Sequence, residues 1–445
     1  MRFRQHLSET VRLATPVALF HVSDMITIMA DTIMVGHLGS IPLAATTFAN
    51  AVTIVPFLFS VGFSIAITPL AGAFWAAGNL DDARRMVRVG TWSSMGVSAI
   101  VSIALLALIP FLHVFGSPPD VVQMSIPFYI WFVLSFIPRT GFGVFKQAAE
   151  AMANTRIAMI IALSSNALNI LLNWVFIYGN LGVPAFGVEG AGIGTFIART
   201  AGFGVAWLIF AKSDFFKPLR KSVHSSIATR ASTMQDFIAM CRTGIPIGGQ
   251  IVLEIAAFAV GALMIGTLGA VPLAAHQVAI SLAAMTFMVA LGIGSASTIR
   301  VSHLRGQNDL PQALRAARAA LILVFAFECL SALGFVAFRH ILPLVYTSDI
   351  YVIELAATLL LYAAAFQLFD GIQAVGLGVL RGYNDVKIPT LIALLAYVGV
   401  SLPISALCAF YLEWGAAGVW IGFLTGLIVA SIGYVWRIER VQKVR

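Results

Sequence analysis

Five carboxylic acids stand inside long apolar stretches of this chain: Asp24, Asp31, Glu254, Glu328 and Asp370. A charge in hydrocarbon costs ~2.5–3.5 kcal/mol on insertion scales, so an acid kept at membrane depth marks a place where a cation is bound or a proton is carried. Asp24 and Asp31 are seven positions apart and share one helix face with His21 and Ile28. Asn169 and Asn173, at i and i+4, can face one cavity, and Thr195 offers another oxygen. Asp31 with these oxygens suits a small hard cation or a hydrogen-bonded proton site. Asn and Thr in spans also serve simply to glue helices together, and both readings stand at this point. Glu328 can snorkel, pair with a neighbouring helix or join the site. His21 and His276 read as packed or interfacial, and Arg199 as the partner of an acid or a carbonyl. No Walker loop, HExxH, nucleophile elbow or Rossmann glycine set occurs in context, so neither an enzyme nor an ATP-driven pump is indicated, no cofactor is called for, and an ion gradient must supply the energy.

The elements that must hold these residues follow from composition. Of 445 residues 60% are hydrophobic and 10% charged, against about a quarter charged in a soluble domain. Apolar blocks the length of a bilayer-crossing helix recur along the whole chain. Taking Gly, Pro and charge clusters as boundaries gives twelve spans at approximately 12–36, 43–72, 90–112, 124–148, 157–179, 188–211, 238–266, 272–299, 318–338, 352–379, 388–411 and 414–436. The fold class is all-α and polytopic, and the bilayer is the chain's first partner. The net charge of +8 comes from short basic patches between apolar blocks, with no stripe of interleaved aromatics, which argues against nucleic acid. Cys241, Cys329 and Cys408 are widely separated and read as apolar fillers. The first apolar stretch, behind MRFRQHLSETVR, reads as a retained span rather than a cleaved signal.

Lys and Arg placement orients the spans. Basic residues fall at Arg2 and Arg4, at Arg84, Arg85 and Arg88, around Arg139, Lys146 and Arg156, and in the connector at Lys212, Lys217, Arg220, Lys221 and Arg230. They continue at Arg300, Arg305, Arg315 and Arg318, at Arg381 and Lys387, and at Arg437, Arg440, Lys443 and Arg445. With twelve spans all of these lie on one side, Arg339 being the exception on the other, and the positive-inside rule puts both termini in the cytoplasm.

The chain also repeats itself. VGHLGSIPLAA from Val35 returns as IGTLGAVPLAA from Ile265, and the same shift of 230 pairs Pro16 with Pro246, Gly62 with Gly292, Arg85 with Arg315, Gly141 with Gly371 and Asn154 with Asn384. Each half carries six spans, so both enter the membrane in the same direction; parallel repeats of this kind characterise transporters that work by alternating access, although a channel could be duplicated too. The expected organisation is a bundle over 1–211, a linker over 212–237 and a second bundle over 238–445. Pro16, Pro56 and Pro246 are kinks that can act as joints. The shift aligns Asp24 with Glu254, Asp31 with Gly261 and Thr140 with Asp370, so much of the acid set is asymmetric.

At DTIMVGHLG (from Asp31), FWAAGNLDDARR (Phe74), NILLNWVFIYG (Asn169), GVEGAGIGT (Gly187), GQIVLE (Gly249) and FDGIQAVGLGVLRGYNDVKIPT (Phe369), the chain resembles the multidrug and toxic compound extrusion (MATE) antiporters, and most closely their NorM-type branch. The resemblance covers nearly the whole chain. It implies export of cationic, amphipathic small organic molecules in exchange for Na+ or H+, by a protein of the cytoplasmic (inner) membrane that functions as a monomer. It implies that Asp31, Asn169, Asn173 and Thr195 form the N-lobe cation site, with Na+ held by Asp31, Asn169 and Asn173 if sodium is the coupling ion, and that Glu254 and Asp370 are the paired acids of the C-lobe. Substrate contacts are expected from Asp31, Glu254, Asp370, Gln250 and Gln367. Where the archaeal DinF-like branch has a second acid in span five, Asn173 stands, removing one charge. Asp24 and Glu328 lie outside the pattern and are possible additions. The rival reading, a flippase for a lipid-linked saccharide, would need a basic cavity, whereas the midplane residues here are acidic apart from Arg199.

Overall fold

The computed structural model describes residues 3–220 and 230–444, the side chains of 230–232 and 442–444 excepted. Lys221 of the expected linker, and with it 222–229, lies outside the described residues, as do Arg2 and Arg445. Twelve helices are long and apolar enough to cross a bilayer: α1 Phe3–Gly36, α2 Ser40–Ala76, α3 Leu80–Ala107, α4 Pro119–Ala151, α5 Arg156–Tyr178, α6 Val188–Lys212, α7 Thr233–Gly266, α8 Ala270–Gly306, α9 Leu310–Phe338, α10 Ile350–Gly382, α11 Lys387–Tyr411 and α12 Gly415–Val441. Most run past the limits set by hydropathy because their polar end turns remain helical, whereas α3 ends at Ala107, short of 112, where a 3-10 turn over Ile109–Phe115 follows. α1 and α2 meet at Gly39 with φ +125°, and α7 and α8 at Gly269 with φ +123°, a backbone region open to glycine at little cost, which is why the glycine repeats.

The described chain forms two compact units. One comprises Met1–Ala18 with Gly249–Arg445, the other Leu19–Gly248. This division differs from 1–211, 212–237 and 238–445. The boundaries fall inside α1 and α7, two residues past Pro16 and Pro246 and at positions that the repeat makes equivalent. Packing explains it. Within the first unit Gly292 leaves room for Ala14 and Ala18: a Cβ there would stand 2.9 Å from the Ala14 carbonyl oxygen and 2.9 Å from Ala18 Cβ. Within the second, Gly244 and Gly248 admit Phe63 and Phe59 at 2.7 and 2.8 Å from where their own Cβ atoms would be. Ala14 and Ala18 are the repeat partners of Gly244 and Gly248, so each unit takes up the opening turns of a crossing helix through the same face.

Many basic residues counted as loop charges are inside helices instead, among them Arg139, Lys146, Arg300 and Arg381. Arg139 pairs with Asp24, and Lys146 with Glu150 at 2.7 Å, both groups buried. Arg300 donates to the His6 carbonyl at 2.6 Å and to the Thr10 hydroxyl at 2.7 Å, and Arg381 to Gln250 Oε1 at 3.2 Å. Each has a partner brought by a neighbouring turn or helix, which is what makes a cation tolerable there. Of the cysteines Cys408 is buried, while Cys241 and Cys329 are half-buried.

Candidate functional site

Each unit holds its own acid-bearing site. In the second unit, α1 and α5 are joined by two Asp–Asn rungs. Asn166 Nδ2 donates to Asp24 Oδ1 at 3.0 Å, and Asn173 Nδ2 to Asp31 Oδ1 at 2.6 Å. Seven residues separate the acids and seven the amides, so both helices present their rungs on one face. Asn173 Nδ2 also reaches Asn169 Oδ1 at 3.4 Å, and Asn169 Nδ2 donates to Thr195 Oγ1 at 3.2 Å. Asp31, Asn173, Asn169 and Thr195 therefore form one chain of hydrogen bonds, with the last three buried and Asp31 half-buried. Asn173 Oδ1 is buried without a donor among the described residues, an acceptor free to face a cation. Gly194 of α6 makes the arrangement possible, since a Cβ there would stand 2.1 Å from that oxygen.

Asp24 has a different setting. Arg139 donates to its Oδ2 while Asn166 holds Oδ1, so its charge is already matched. Arg199, expected to partner an acid or a carbonyl, interacts electrostatically with Asp24 and Asp31 but closes no ion pair among the described residues. It donates to the Ser135 hydroxyl at 2.7 Å and lies over the Phe132 and Phe57 rings at 5.0 and 5.6 Å, a setting in which the ring faces supply the negative potential.

In the first unit the acids converge. Asp370 on α10 interacts electrostatically with Glu254 on α7 and with Glu328 on α9. Glu328 packs beside Gly371: a Cβ there would meet Glu328 Cγ at 2.6 Å and Oε1 at 3.2 Å, so glycine next to Asp370 lets the second carboxyl in. Glu328 is 2% and Asp370 6% exposed, and neither Glu328 Oε2 nor Asp370 Oδ1 has a hydrogen-bond partner among the described residues. Glu254 is half-buried beside the Arg381 guanidinium and the Gln373 amide. Gln373 Nε2 donates to the Tyr397 hydroxyl at 3.0 Å. Gln250 Nε2 donates to Thr390 Oγ1 at 2.9 Å and to the Val386 carbonyl at 3.2 Å, while its Oε1 accepts from Arg381. Gln250 thus acts as a support for Arg381, its polar atoms engaged within the unit. Gln367 accepts from Thr286 through Oε1, and its Nε2 has no partner among the described residues.

Tyr397 lies in a π-helical stretch of α11, Leu395–Ser401, where one extra residue per turn shifts side chains off the α-helical register; such bulges recur at functional sites. Sequence reasoning missed Gln373 and Tyr397 as site neighbours and treated Arg381 as a loop charge. Nothing in hydropathy marks a π-bulge, whereas Gln373 three residues past Asp370 was visible as a polar residue in a span.

The repeat sharpens the contrast between units. Ser98 and Thr140 are the repeat partners of Glu328 and Asp370, and Thr140 Oγ1 donates to Ser98 Oγ at 3.1 Å, both buried. One unit thus fills the slot with a neutral, mutually bonded pair of hydroxyls, and the other with two carboxyls.

Comparison with known proteins agrees with this layout. The MatE family model matches residues 16–175 and again 246–407, the second match beginning 230 residues after the first. The probable multidrug resistance protein NorM of Xanthomonas axonopodis pv. citri is 33% identical over 97% of this chain and 93% of its own length. The multidrug resistance protein NorM of Vibrio cholerae serotype O1 is 31% identical over 99% and 97%. Among solved structures, the eukaryotic MATE transporter AtDTX14 superposes with a TM-score of 0.88 at 21% identity, covering 98% of this chain and 96% of that one. The Vibrio cholerae MATE transporter VcmN in its bent form gives 0.87 at 19% identity, covering 99% and 98%; at such identities the likeness speaks to fold.

Proposed function

The chain belongs to the MatE family, and from that premise we propose that it is a secondary active multidrug efflux transporter, exporting cationic amphipathic compounds by alternating access in exchange for Na+ or H+. The observation that carries the reading is the set of carboxyls without ion-pair partners: buried Glu328 and Asp370 close on no Lys or Arg among the described residues, and half-buried Asp31 is met by an amide, with Arg199 acting on it without an ion pair. An acid kept at membrane depth without a resident cation is one whose counter-charge comes and goes. Asp24, matched by Arg139, falls outside the exchanging set and fixes α1 against its neighbours.

In this reading Asp31, with the free Oδ1 of Asn173, takes the coupling cation in the second unit. Glu254 and Asp370, with Gln367, take coupling or organic cations in the first. Gln250 enters as the group that holds Arg381 beside Glu254. Occupancy by the coupling cation lowers affinity for the organic cation and releases it; on the other face the organic cation displaces the coupling ion. The protein works as a monomer in the inner membrane with both termini in the cytoplasm, and needs no cofactor. A flippase for a lipid-linked saccharide would need donors for a pyrophosphate, and the cluster around Asp370 sets three acids against the one guanidinium of Arg381.

Efflux of a monovalent cationic dye from cells carrying the protein tests this, against Asp370→Asn and Asp31→Asn. Both substitutions are expected to bring gradient-driven efflux to background at unchanged protein level. Full efflux in both would refute the assignment.

A further inference from the structure

The acid cluster of the first unit has more charge than one monovalent cation can match. Glu254, Glu328 and Asp370 interact around Asp370, and Arg381 is the basic group beside Glu254. Three carboxylates against one guanidinium leave two negative charges when all are ionised. Arg300, the other helix-embedded arginine of this unit described above, is engaged by His6, Thr10 and Glu9.

A second observation points to a ligand. Gln373 is 2% exposed, its amide N–H group serves Tyr397 and Glu254, and its Oε1 carbonyl has no donor among the described residues. A buried carbonyl without a donor costs free energy unless something positive or proton-bearing faces it. The adjoining wall is aromatic: Phe258 stands 6.4 Å from Tyr397 and 5.9 Å from Phe366 between ring centroids, and such faces attract organic cations. The other unit shows what the same slot holds when no charge is required, the Ser98–Thr140 pair.

We propose that Glu328 is a specificity-determining residue: with Asp370 it seats a second unit of positive charge beside the one seated at Glu254, so that this unit takes dicationic organic substrates as well as monovalent ones. This rests on the function proposed above. A dication exchanged for two monovalent ions also moves no net charge, so the same gradient can drive both classes.

The test uses full-length protein reconstituted in liposomes with an imposed Na+ or H+ gradient. The probes are tetraphenylphosphonium, with one charge, and decamethonium, with two quaternary ammonium groups. Glu328→Gln, nearly isosteric, is expected to lower decamethonium transport at least tenfold more than it lowers tetraphenylphosphonium transport, and Glu328→Asp to lower dication transport by a smaller factor that still exceeds the loss for the monocation. Equal effects on both probes, no effect on either, or a wild-type protein that carries the monocation and ignores the dication would overturn the proposal. If Glu328→Gln does not fold, Glu328→Asp decides alone: it must weaken the dication more than the monocation, and parity overturns the idea. Should Glu254→Gln and Asp370→Asn leave transport of both probes intact, the fault lies with the assignment of the acid cluster as a whole rather than with Glu328.

Discussion

Gly194→Ala tests whether the amide chain of the second unit works on the cation or merely joins helices. The added Cβ would stand 2.1 Å from Asn173 Oδ1 and 3.2 Å from Asn173 N, so the Asn173 amide must leave its place. That amide is fully buried, donates to Asp31 at 2.6 Å and carries the acceptor without a donor that is available to a cation. A hydrogen bond to a charged group contributes about 1.5–3 kcal/mol, and ~1.4 kcal/mol is tenfold in affinity. The half-saturating concentration of the coupling cation should therefore rise about ten- to a hundredfold, read as the concentration dependence of dye efflux in reconstituted vesicles.

Two controls separate this from general damage to the α5–α6 contact. A Cβ on Gly204, on the same helix, meets nothing within 4 Å, so Gly204→Ala should be silent or stabilising by up to about 1 kcal/mol. A Cβ on Gly190 would strike the Phe176 carbonyl oxygen at 2.4 Å; Gly190→Ala should lower the melting temperature through overpacking of about 1–3 kcal/mol while leaving the half-saturating concentration of the folded protein in place. An unchanged cation dependence in Gly194→Ala, or parallel shifts in Gly190→Ala and Gly194→Ala, would refute the reasoning.

Asp24→Asn should act on stability rather than transport, because it strips Arg139 of its anion: a loss of about 1.5–3 kcal/mol seen as a lower melting temperature in detergent, partly restored by adding Arg139→Gln, with cation dependence unchanged. Arg300→Ala removes the donors that hold the His6 carbonyl and ring and the Thr10 hydroxyl, so trypsin should cut after Arg4 or Arg12 sooner than in the wild type; equal cleavage rates would dismiss the clamp. For a monovalent dye exchanged against one monovalent ion, a membrane potential worth ~2.3 kcal/mol per charge per 100 mV should leave transport unchanged at fixed gradients, and voltage dependence would reject one-for-one exchange.

The twelve spans were legible because length and apolarity are local properties, and the repeat because Gly, Pro and Arg keep register where Ala and Leu cannot be told apart. That Asn169 and Asn173 share a face was legible from i, i+4 spacing, and their link to Asp31 from family likeness. Partners across helices were not. Arg139 looks like a boundary charge in any hydropathy window, since one arginine inside a helix and one at its end differ only in what packs against them; the Asp24 contact that settles the matter spans 115 residues. The unit boundaries at Ala18 and Gly248 escaped for the same reason, as they depend on which glycine face accepts Ala14 and which accepts Phe63. Glu328 is the instructive case, because its signal was present and unused. The repeat that set Asp370 opposite Thr140 also sets Glu328 opposite Ser98, and two positions that are small hydroxyls in one half and acids in the other should lie together in both. They do: the hydroxyls bond each other at 3.1 Å, and the acids meet at Gly371, the repeat partner of Gly141. In a duplicated chain, each half therefore supplies the reference geometry against which the other's charges can be judged, and carboxyls standing where hydroxyls would have satisfied one another are what the proposed exchange of protons or cations would explain.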